Sequence, residues 1–118
     1  KTFAGLAKVK EMDPTLITPK EALRAATAAG AKAQGRDDCG VLDEGNKADL
    51  IVLRTDVPNM HPVHSMVNNL VYAATPGDIV MTMADGKVLY ENGEYTCIDI
   101  EKTICEAQAA TDKILQQL

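Results

Sequence analysis

The spacing of apolar and polar residues divides the chain into a helical first third, a strand-rich middle and a helical end. Apolar residues at helical intervals predict a first helix over Lys1–Met12. A second helix begins at Thr18–Glu21, which has the order of a capping box with proline at the first helical position. The pattern predicts that this helix runs unbroken towards Gln34 and ends at Gly35. Gly30 lies inside it, at a cost of about 1 kcal/mol relative to alanine unless a neighbour must approach closely.

The middle of the chain begins with a charged turn that leads into an apolar run. Val41 and Leu42 predict a short strand, and Glu44–Lys47 predicts the turn. Ala48–Leu53 then predicts a strand that is buried on both faces, because it is apolar at almost every position. A Pro-rich connection follows, and the next periodic segment predicts a short amphipathic helix over residues 66–74.

The strongest strand signal is a hairpin in the last third of the chain. Ile79–Ala84 and Lys87–Glu91 flank Asp85–Gly86, a pair that tolerates the positive φ angles of a tight turn. Asn92–Gly93 predicts a second turn, and Asp99 then caps a final helix. The apolar residues of that helix form one stripe: Ile100, Ile104, Ala107, Ile114, Leu115 and Leu118. Together the elements predict an α+β fold.

Composition predicts a small core that depends on further contacts. Of the 118 residues 46% are hydrophobic, but alanine dominates them, and the chain has one Phe, three Tyr and no Trp. Burial of alanine contributes little free energy, so the core is thin. The net charge of −5 argues against a nucleic-acid partner, which requires a basic surface. Scattered basic residues and the lack of an apolar run of about 20 residues argue against a membrane partner.

The cysteines and the first residue indicate where the protein is found and how much of it is present. Cys39, Cys97 and Cys105 are odd in number and form no CxxC pair, which favours free thiols in a reducing compartment, the cytoplasm. The chain opens with Lys1 rather than Met and is already helical there. We therefore expect a piece of a longer protein.

The histidines do not make a metal site by themselves. His61 and His64 are the only two in the chain, and they flank a proline in a loop. A catalytic metal site needs about three converging ligands and a bound water, so we expect a structural or solvent-exposed role for both.

The carboxylates and the other polar candidates also favour structural roles. Asp49 opens a strand and is expected to accept backbone N–H groups. Asp37–Asp38 and Asp43–Glu44 are adjacent pairs whose members point to opposite faces, which favours solvated turns. Ser65 lacks the surroundings of a serine nucleophile. The glycines lack the spacing of a phosphate loop: Gly40, Gly45, Gly77, Gly86 and Gly93. We expect no catalytic, cofactor-binding or metal-ligating residue in this chain.

Four segments together resemble the C-terminal region of metal-dependent amidohydrolases. Glu21–Gly35 resembles their last barrel helix, and Gly40–Leu53 resembles the return of the chain into their small β-sandwich. Met83–Gly93 resembles the closing hairpin of the same proteins. Pro62–Ala74 is similar to the branch that contains 5′-methylthioadenosine/S-adenosylhomocysteine deaminases and triazine chlorohydrolases.

The resemblance implies a C-terminal fragment of a (β/α)8-barrel amidohydrolase. Residues 1–36 would be terminal barrel helices, 37–98 the C-terminal part of a composite β-sandwich, and 99–118 an amphipathic C-terminal helix. In such enzymes a divalent metal, zinc or iron, activates water for attack on the amine-bearing ring carbon, and ammonia leaves. The metal ligands, the proton-shuttling aspartate and the site for a small-molecule substrate would precede Lys1. The resemblance further implies a homo-oligomer.

Three interpretations stay open at this point. The first is the non-catalytic C-terminal portion of a deaminase acting on S-adenosylhomocysteine or 5′-methylthioadenosine, which Asn69–Ala74 favours. The second is another amidohydrolase, such as a cytosine or guanine deaminase or a chlorohydrolase, because substrate contacts lie on barrel loops. The third is a free-standing structural or binding module without a barrel. In a complete enzyme, His61 or His64 could also approach a substrate from the side of the sandwich.

Overall fold

The computed structural model of the protein describes residues 1–117 and has an α+β architecture, as predicted. Short helices come first, a four-stranded antiparallel sheet follows, and a longer helix ends the described region. In chain order the elements are α1 (Thr2–Glu11), α2 (Pro19–Ala26), α3 (Ala28–Ala33), β1 (Leu50–Leu53), α4 (Met66–Tyr72), β2 (Ile79–Ala84), β3 (Lys87–Glu91), β4 (Glu94–Tyr95) and α5 (Ile100–Leu115). Single 3₁₀ turns lie at Pro58–Met60 and Pro76–Asp78. Leu118, the last member of the predicted apolar stripe, lies outside the described residues.

The start of α2 is the predicted capping box. The Thr18 hydroxyl oxygen accepts the backbone N–H of Glu21 at 3.3 Å, and the Glu21 carboxylate accepts the backbone N–H of Thr18 at 2.8 Å. These two bonds satisfy donors that an uncapped helix would leave free. The predicted end is also confirmed, because Gly35 follows α3 with a φ of +73°, a conformation that glycine adopts without strain.

The single helix predicted between these caps is wrong. Thr27 divides it into α2 and α3, with φ −120° and ψ −103°, and its hydroxyl donates to the Leu23 carbonyl oxygen at 2.9 Å. The bend leaves no room for side chains on two glycines. A Cβ on Gly30 would lie 2.8 Å from the Ala25 carbonyl oxygen, and a Cβ on Gly40 would lie 3.0 Å from the Thr27 carbonyl oxygen. The break therefore lets the following loop pass close to α3.

The sheet has the order β1-β2-β3-β4, and each neighbouring pair is antiparallel. Both predicted hairpin turns are confirmed: Asp85–Gly86 has φ values of +50° and +76°, and Asn92–Gly93 has +46° and +100°.

The strand predicted at Val41 and Leu42 is wrong. This stretch is a loop, held at the Val41 carbonyl by the side-chain amide of Asn46 at 3.2 Å.

The burial predicted for the strand over Ala48–Leu53 is also wrong. The regular strand is β1, and it lies at the edge of the sheet with β2 on one side only. Ile51 is 52% exposed and Val52 is 41% exposed. The apolar run is present as predicted. Ile51 and Val52 stay exposed because no residue among 1–117 covers their side chains.

The buried core is small, as the alanine-rich composition predicts. Ala4 of α1 and Met60 are fully buried, while Phe3 and Leu6 of α1 are exposed. Lys8 connects α1 to α4 through a 3.0 Å hydrogen bond from its Nζ to the hydroxyl oxygen of Tyr72. The helices and sheet therefore share few buried side chains.

Within residues 1–117, no helix combines the length and the apolar character needed to cross a bilayer.

Candidate functional site

Asp78 is the one buried charged residue among residues 1–117, with 6% exposure. Its carboxylate accepts the backbone N–H of Thr75 at 2.7 Å, the Thr75 hydroxyl at 3.0 Å and the Asn59 side-chain amide at 2.8 Å. The Thr75 backbone bond, followed by the Asn59 bond, lowers the pKa of Asp78, and desolvation opposes this shift only in part. The carboxylate is therefore ionised at neutral pH and already bound to protein donors, which suits a structural anchor rather than an acid.

A second asparagine extends this network to the loop before α4. The Asn69 side-chain amide donates to the Met60 carbonyl oxygen at 2.7 Å and to the Pro62 carbonyl oxygen at 3.3 Å. Asn59 also donates to the Ala73 carbonyl oxygen at 3.2 Å. The two asparagines thus tie the loop to the middle and to the C-terminal end of α4.

This network was not predicted from the amino-acid sequence. Its signal was available, because a threonine followed by proline and then by an aspartate at the third position is a capping sequence, and Thr75–Asp78 has that order. The sequence showed only a turn there, since no local pattern reveals that the side chain of Asn59 comes to Asp78 from 19 residues away.

The loop held by Asn69 carries both histidines, and both are exposed. The His61–Pro62 peptide bond is cis. In the part of the chain that the structure describes, no three His, Cys, Asp or Glu side chains come together in a group that could hold a metal ion. His61 and His64 alone therefore do not fit the resident metal of a catalytic site.

Asp49 forms a clamp between the loop after α3 and the hairpin turn of the sheet. Its carboxylate accepts the backbone N–H of Asp85 at 2.7 Å and a guanidinium N–H of Arg36 at 3.1 Å. The Asp85 backbone bond, with a further contribution from Arg36, lowers the pKa of Asp49. The predicted acceptance of a backbone N–H is confirmed.

The other predicted carboxylate pairs lie in exposed loops near this clamp. Asp38 forms surface ion pairs with Arg36 at 3.5 Å and Lys47 at 3.8 Å, and Asp43 accepts the backbone N–H of Glu44 at 3.0 Å. Asp37 is exposed as well. Surface ion pairs contribute little to stability, and none of these carboxylates lies in a desolvated pocket. Their predicted position in solvated turns is confirmed.

An open groove of about 580 Å³ separates α2 and α3 from strands β1 and β2. Cys39 lines it and is a free thiol, as are the exposed Cys97 and Cys105, in agreement with prediction. The walls are mostly small or apolar, and include Ala26, Gly30, Ala31, Leu50, Ile51 and Met83. The charged members of the lining, Arg36 and Asp49, are paired with each other at 3.1 Å, so the groove suits packing against another apolar segment.

Relatives of the chain are found over nearly its whole length. The sequence profile described as "Amidohydrolase family" matches residues 2–89. A 5-methylthioadenosine/S-adenosylhomocysteine deaminase from Dictyoglomus turgidum is 41% identical over 105 residues, which are 89% of this chain and 25% of that protein. The chain thus spans about a quarter of that relative's length.

Two solved structures resemble the fold. An adenosine deaminase from Xanthomonas campestris with bound zinc matches with a TM-score of 0.92 and 30% identity, over 98% of this chain and 26% of its own. An atrazine chlorohydrolase from Arthrobacter aurescens complexed with zinc matches with a TM-score of 0.71 and 32% identity, over 78% of this chain and 20% of its own. The first likeness extends over almost every element described above.

Proposed function

The chain belongs to the amidohydrolase family, and we propose that it is the non-catalytic C-terminal portion of an adenosine-type deaminase. The observation that carries this proposal is the likeness to an adenosine deaminase over 98% of the chain, with a TM-score of 0.92. The deaminase name of the Dictyoglomus relative supports the same substrate class. Both likenesses include Asn69 and the α4 region, the element whose sequence favours this branch.

The proposed reaction is hydrolytic removal of an amino group from a purine ring. Water adds to the ring carbon that carries the amine, and the nitrogen leaves as ammonia. A divalent metal, zinc or iron, supplies the activation of water in the parent enzyme. The donors in this chain do not fit that metal, so we place the metal ligands and the small-molecule site in the rest of the enzyme. This chain contributes scaffold through the Asp49 clamp and the Asp78 network.

The proposed domain assignment comes from the family resemblance, and exposed apolar surfaces support it. Residues 1–36 would be terminal helices of a (β/α)8 barrel, 37–98 a part of the composite β-sandwich, and 99–118 the C-terminal helix. Ile51 and Val52 on the edge strand β1 are exposed here, as are apolar side chains of α1. An exposed edge strand with apolar side chains favours a covering partner, because it otherwise offers a surface for association. We propose that the remainder of a cytoplasmic, homo-oligomeric enzyme covers them.

The competing functions differ in substrate or in the presence of a barrel. A chlorohydrolase is less well supported, since that likeness covers 78% of the chain at a TM-score of 0.71. A cytosine or guanine deaminase and a free-standing module have no comparable observation in their favour.

Ammonia release by the full-length protein tests the proposal. We expect turnover of S-adenosylhomocysteine, 5′-methylthioadenosine or adenosine, and no turnover of cytosine, guanine or atrazine. The 118-residue chain supplied with zinc is the matched control, and we expect it to be inactive. Turnover by the short chain would overturn the non-catalytic assignment, and preference of the full-length protein for atrazine or cytosine would overturn the substrate class.

A further inference from the structure

The second hairpin turn of the sheet, Asn92–Gly93, carries a pair of residues that can react with each other. It is the only Asn-Gly pair in the chain. Asparagine is among the thermolabile residues of proteins, and a following glycine leaves its own backbone nitrogen open to approach because it has no Cβ. Both residues of the turn are exposed. Apart from its chain neighbours, no residue among 1–117 places an atom within 4 Å of the position that a Cβ on Gly93 would occupy.

The backbone nitrogen that would react is free in this turn and held in the first hairpin turn, Asp85–Gly86. The Gly93 N–H donates no hydrogen bond within residues 1–117. The Gly86 N–H, at the same place in the first turn, donates to the Ala48 carbonyl oxygen at 3.2 Å. Asp49 also holds the first turn, because its carboxylate accepts the backbone N–H of Asp85 at 2.7 Å. The two turns therefore differ in whether the nitrogen is available.

The strand pairing beside the second hairpin turn is also the weaker of the two. The reaction requires the backbone of Asn92 to rotate out of the turn, so the pairing decides how often the nitrogen reaches the side chain. Glu91 lies opposite Glu94 next to the turn, and like charges directly opposite each other destabilise an antiparallel pair. β4 has only two residues and lies at the edge of the sheet. The first turn is closed by Ala84 opposite Lys87, between longer strands, so we expect the second turn to open more often.

We propose that Asn92 is a site of spontaneous modification, at which the side-chain amide is lost as ammonia and a carboxylate takes its place. The Gly93 nitrogen attacks Cγ of Asn92, and the new C–N bond closes a five-membered succinimide ring. The bond from Cγ to the side-chain nitrogen breaks, and that nitrogen leaves as ammonia with the proton of the Gly93 N–H. The reaction consumes no oxidant or reductant, and the proposal is independent of the proposed function.

Solvent water completes the reaction by opening the ring at either of its two carbonyl carbons. The hydroxyl of the water stays on that carbon, and its proton returns to the nitrogen. One opening gives aspartate. The other gives isoaspartate, in which the main chain continues through the former side chain and is longer by one methylene group.

The isoaspartate product would disturb the hairpin, because a two-residue turn and its register depend on the length of the backbone. The far end of the hairpin is held by Thr96, whose N–H donates to the Leu89 carbonyl oxygen at 3.0 Å and whose hydroxyl donates to the Val88 carbonyl oxygen. These bonds precede α5 in the chain. We expect the modification to weaken them and so to loosen the connection between the sheet and α5.

Ageing of the full-length protein in mildly alkaline buffer tests the proposal, with conversion at residue 92 followed by mass spectrometry of its peptides. Base favours the reaction because it removes the proton from the attacking nitrogen. In the native protein we expect conversion at no less than about one-tenth of the rate in urea, because the turn opens readily. Protection of Asn92 in the native protein, by the turn itself or by the rest of the enzyme, would overturn the proposal.

The matched control is Asp85→Asn, which places the same residue pair in the first hairpin turn. In urea, positions 85 and 92 should convert at similar rates, because their local sequences are alike. In the native variant, position 85 should convert at least about tenfold more slowly than position 92, since the Gly86 N–H is bound there. Equal native rates at the two positions would also overturn the proposal, because the free Gly93 N–H would then have no effect.

Hydrogen exchange tests the expected consequence for the hairpin. The Thr96 N–H should exchange faster in the aged full-length protein than in fresh protein, because its bond to Leu89 is weakened. Asn92→Asp is the matched control, since it adds the same charge without lengthening the backbone, and it should keep its protection. Equal exchange in the aged protein and the Asn92→Asp variant would overturn this consequence.

Discussion

At the scale of single residues, Asp78 and Asn59 show how hydrogen bonds from the protein hold a buried carboxylate in its charged form. The Asn59 amide lies 2.8 Å from the Asp78 carboxylate, beside the two bonds from Thr75. The pKa of Asp78 is lowered in the folded chain. Its stabilising contribution is therefore complete above the unfolded value of about 3.9 and is lost as the pH falls through the lower folded value.

Replacement of Asn59 tests this network. Asn59→Ala should lower the free energy of unfolding by about 1–3 kcal/mol at pH 7, because the hydrogen bonds of its side-chain amide to the Asp78 carboxylate and to the Ala73 carbonyl oxygen are both lost. Asn59→Asp should be less stable than Asn59→Ala at pH 7, since two carboxylates would then face each other. Below pH 5, as one of the two takes up a proton, the Asp variant should approach the Ala variant. Thermal melts from pH 3.5 to 7 check this, and a constant difference between the variants would contradict it.

Gly30 is a residue whose role the sequence could not define. A glycine inside a helix ordinarily costs stability, so replacement by alanine would be expected to help. In the structure an added Cβ would lie 2.8 Å from the Ala25 carbonyl oxygen. The clash is with a backbone atom at the break between α2 and α3, so it cannot be relieved by moving a side chain.

We therefore expect Gly30→Ala to destabilise the chain by about 1–3 kcal/mol, as overpacking does. Gly5→Ala in α1 is the matched control, because no atom lies within 4 Å of the position of its added Cβ. Urea denaturation of both variants measures the difference. A Gly30→Ala variant as stable as Gly5→Ala would show that the bend is not required.

At the scale of elements, what could be predicted was what short segments determine by themselves. The capping box of α2 and the Asp85–Gly86 turn depend on neighbouring residues only, and both were found where the sequence placed them. The break at Thr27 and the loop at Val41 depend on a later segment passing close to α3, so periodicity could not reveal them. The contact between Asn59 and Asp78 also escaped prediction, because it joins residues that are 19 positions apart.

The capping box gives a prediction at this scale. Thr18→Ala removes the acceptor for the Glu21 backbone N–H at the start of α2, and it should destabilise the chain by about 1 kcal/mol. Thr18→Ser keeps a hydroxyl oxygen at the same position and is the matched control. Chemical denaturation should rank the serine variant close to the original chain, and a serine variant as unstable as the alanine variant would contradict the role of the cap.

At the scale of the whole molecule, three elements expose apolar side chains that no described residue covers. They are β1 with Ile51 and Val52, α1 with Phe3 and Leu6, and α5 with Ile104 and Ile114. The chain spans about a quarter of its relative's length, and we propose that the partners of these surfaces lie elsewhere in the enzyme or in a second copy. On that proposal, the larger assembly supplies the burial predicted for β1, which residues 1–117 do not supply.

Reading the gene upstream of the codon for Lys1 tests whether this chain is one part of a deaminase. We expect about 300 further residues in the same frame, enough for a barrel of about 250 residues and the start of a sandwich. They should contain a His-x-His strand, two later histidines and an aspartate at a strand end. A start codon immediately before Lys1 would contradict the claim and make this chain a free-standing module.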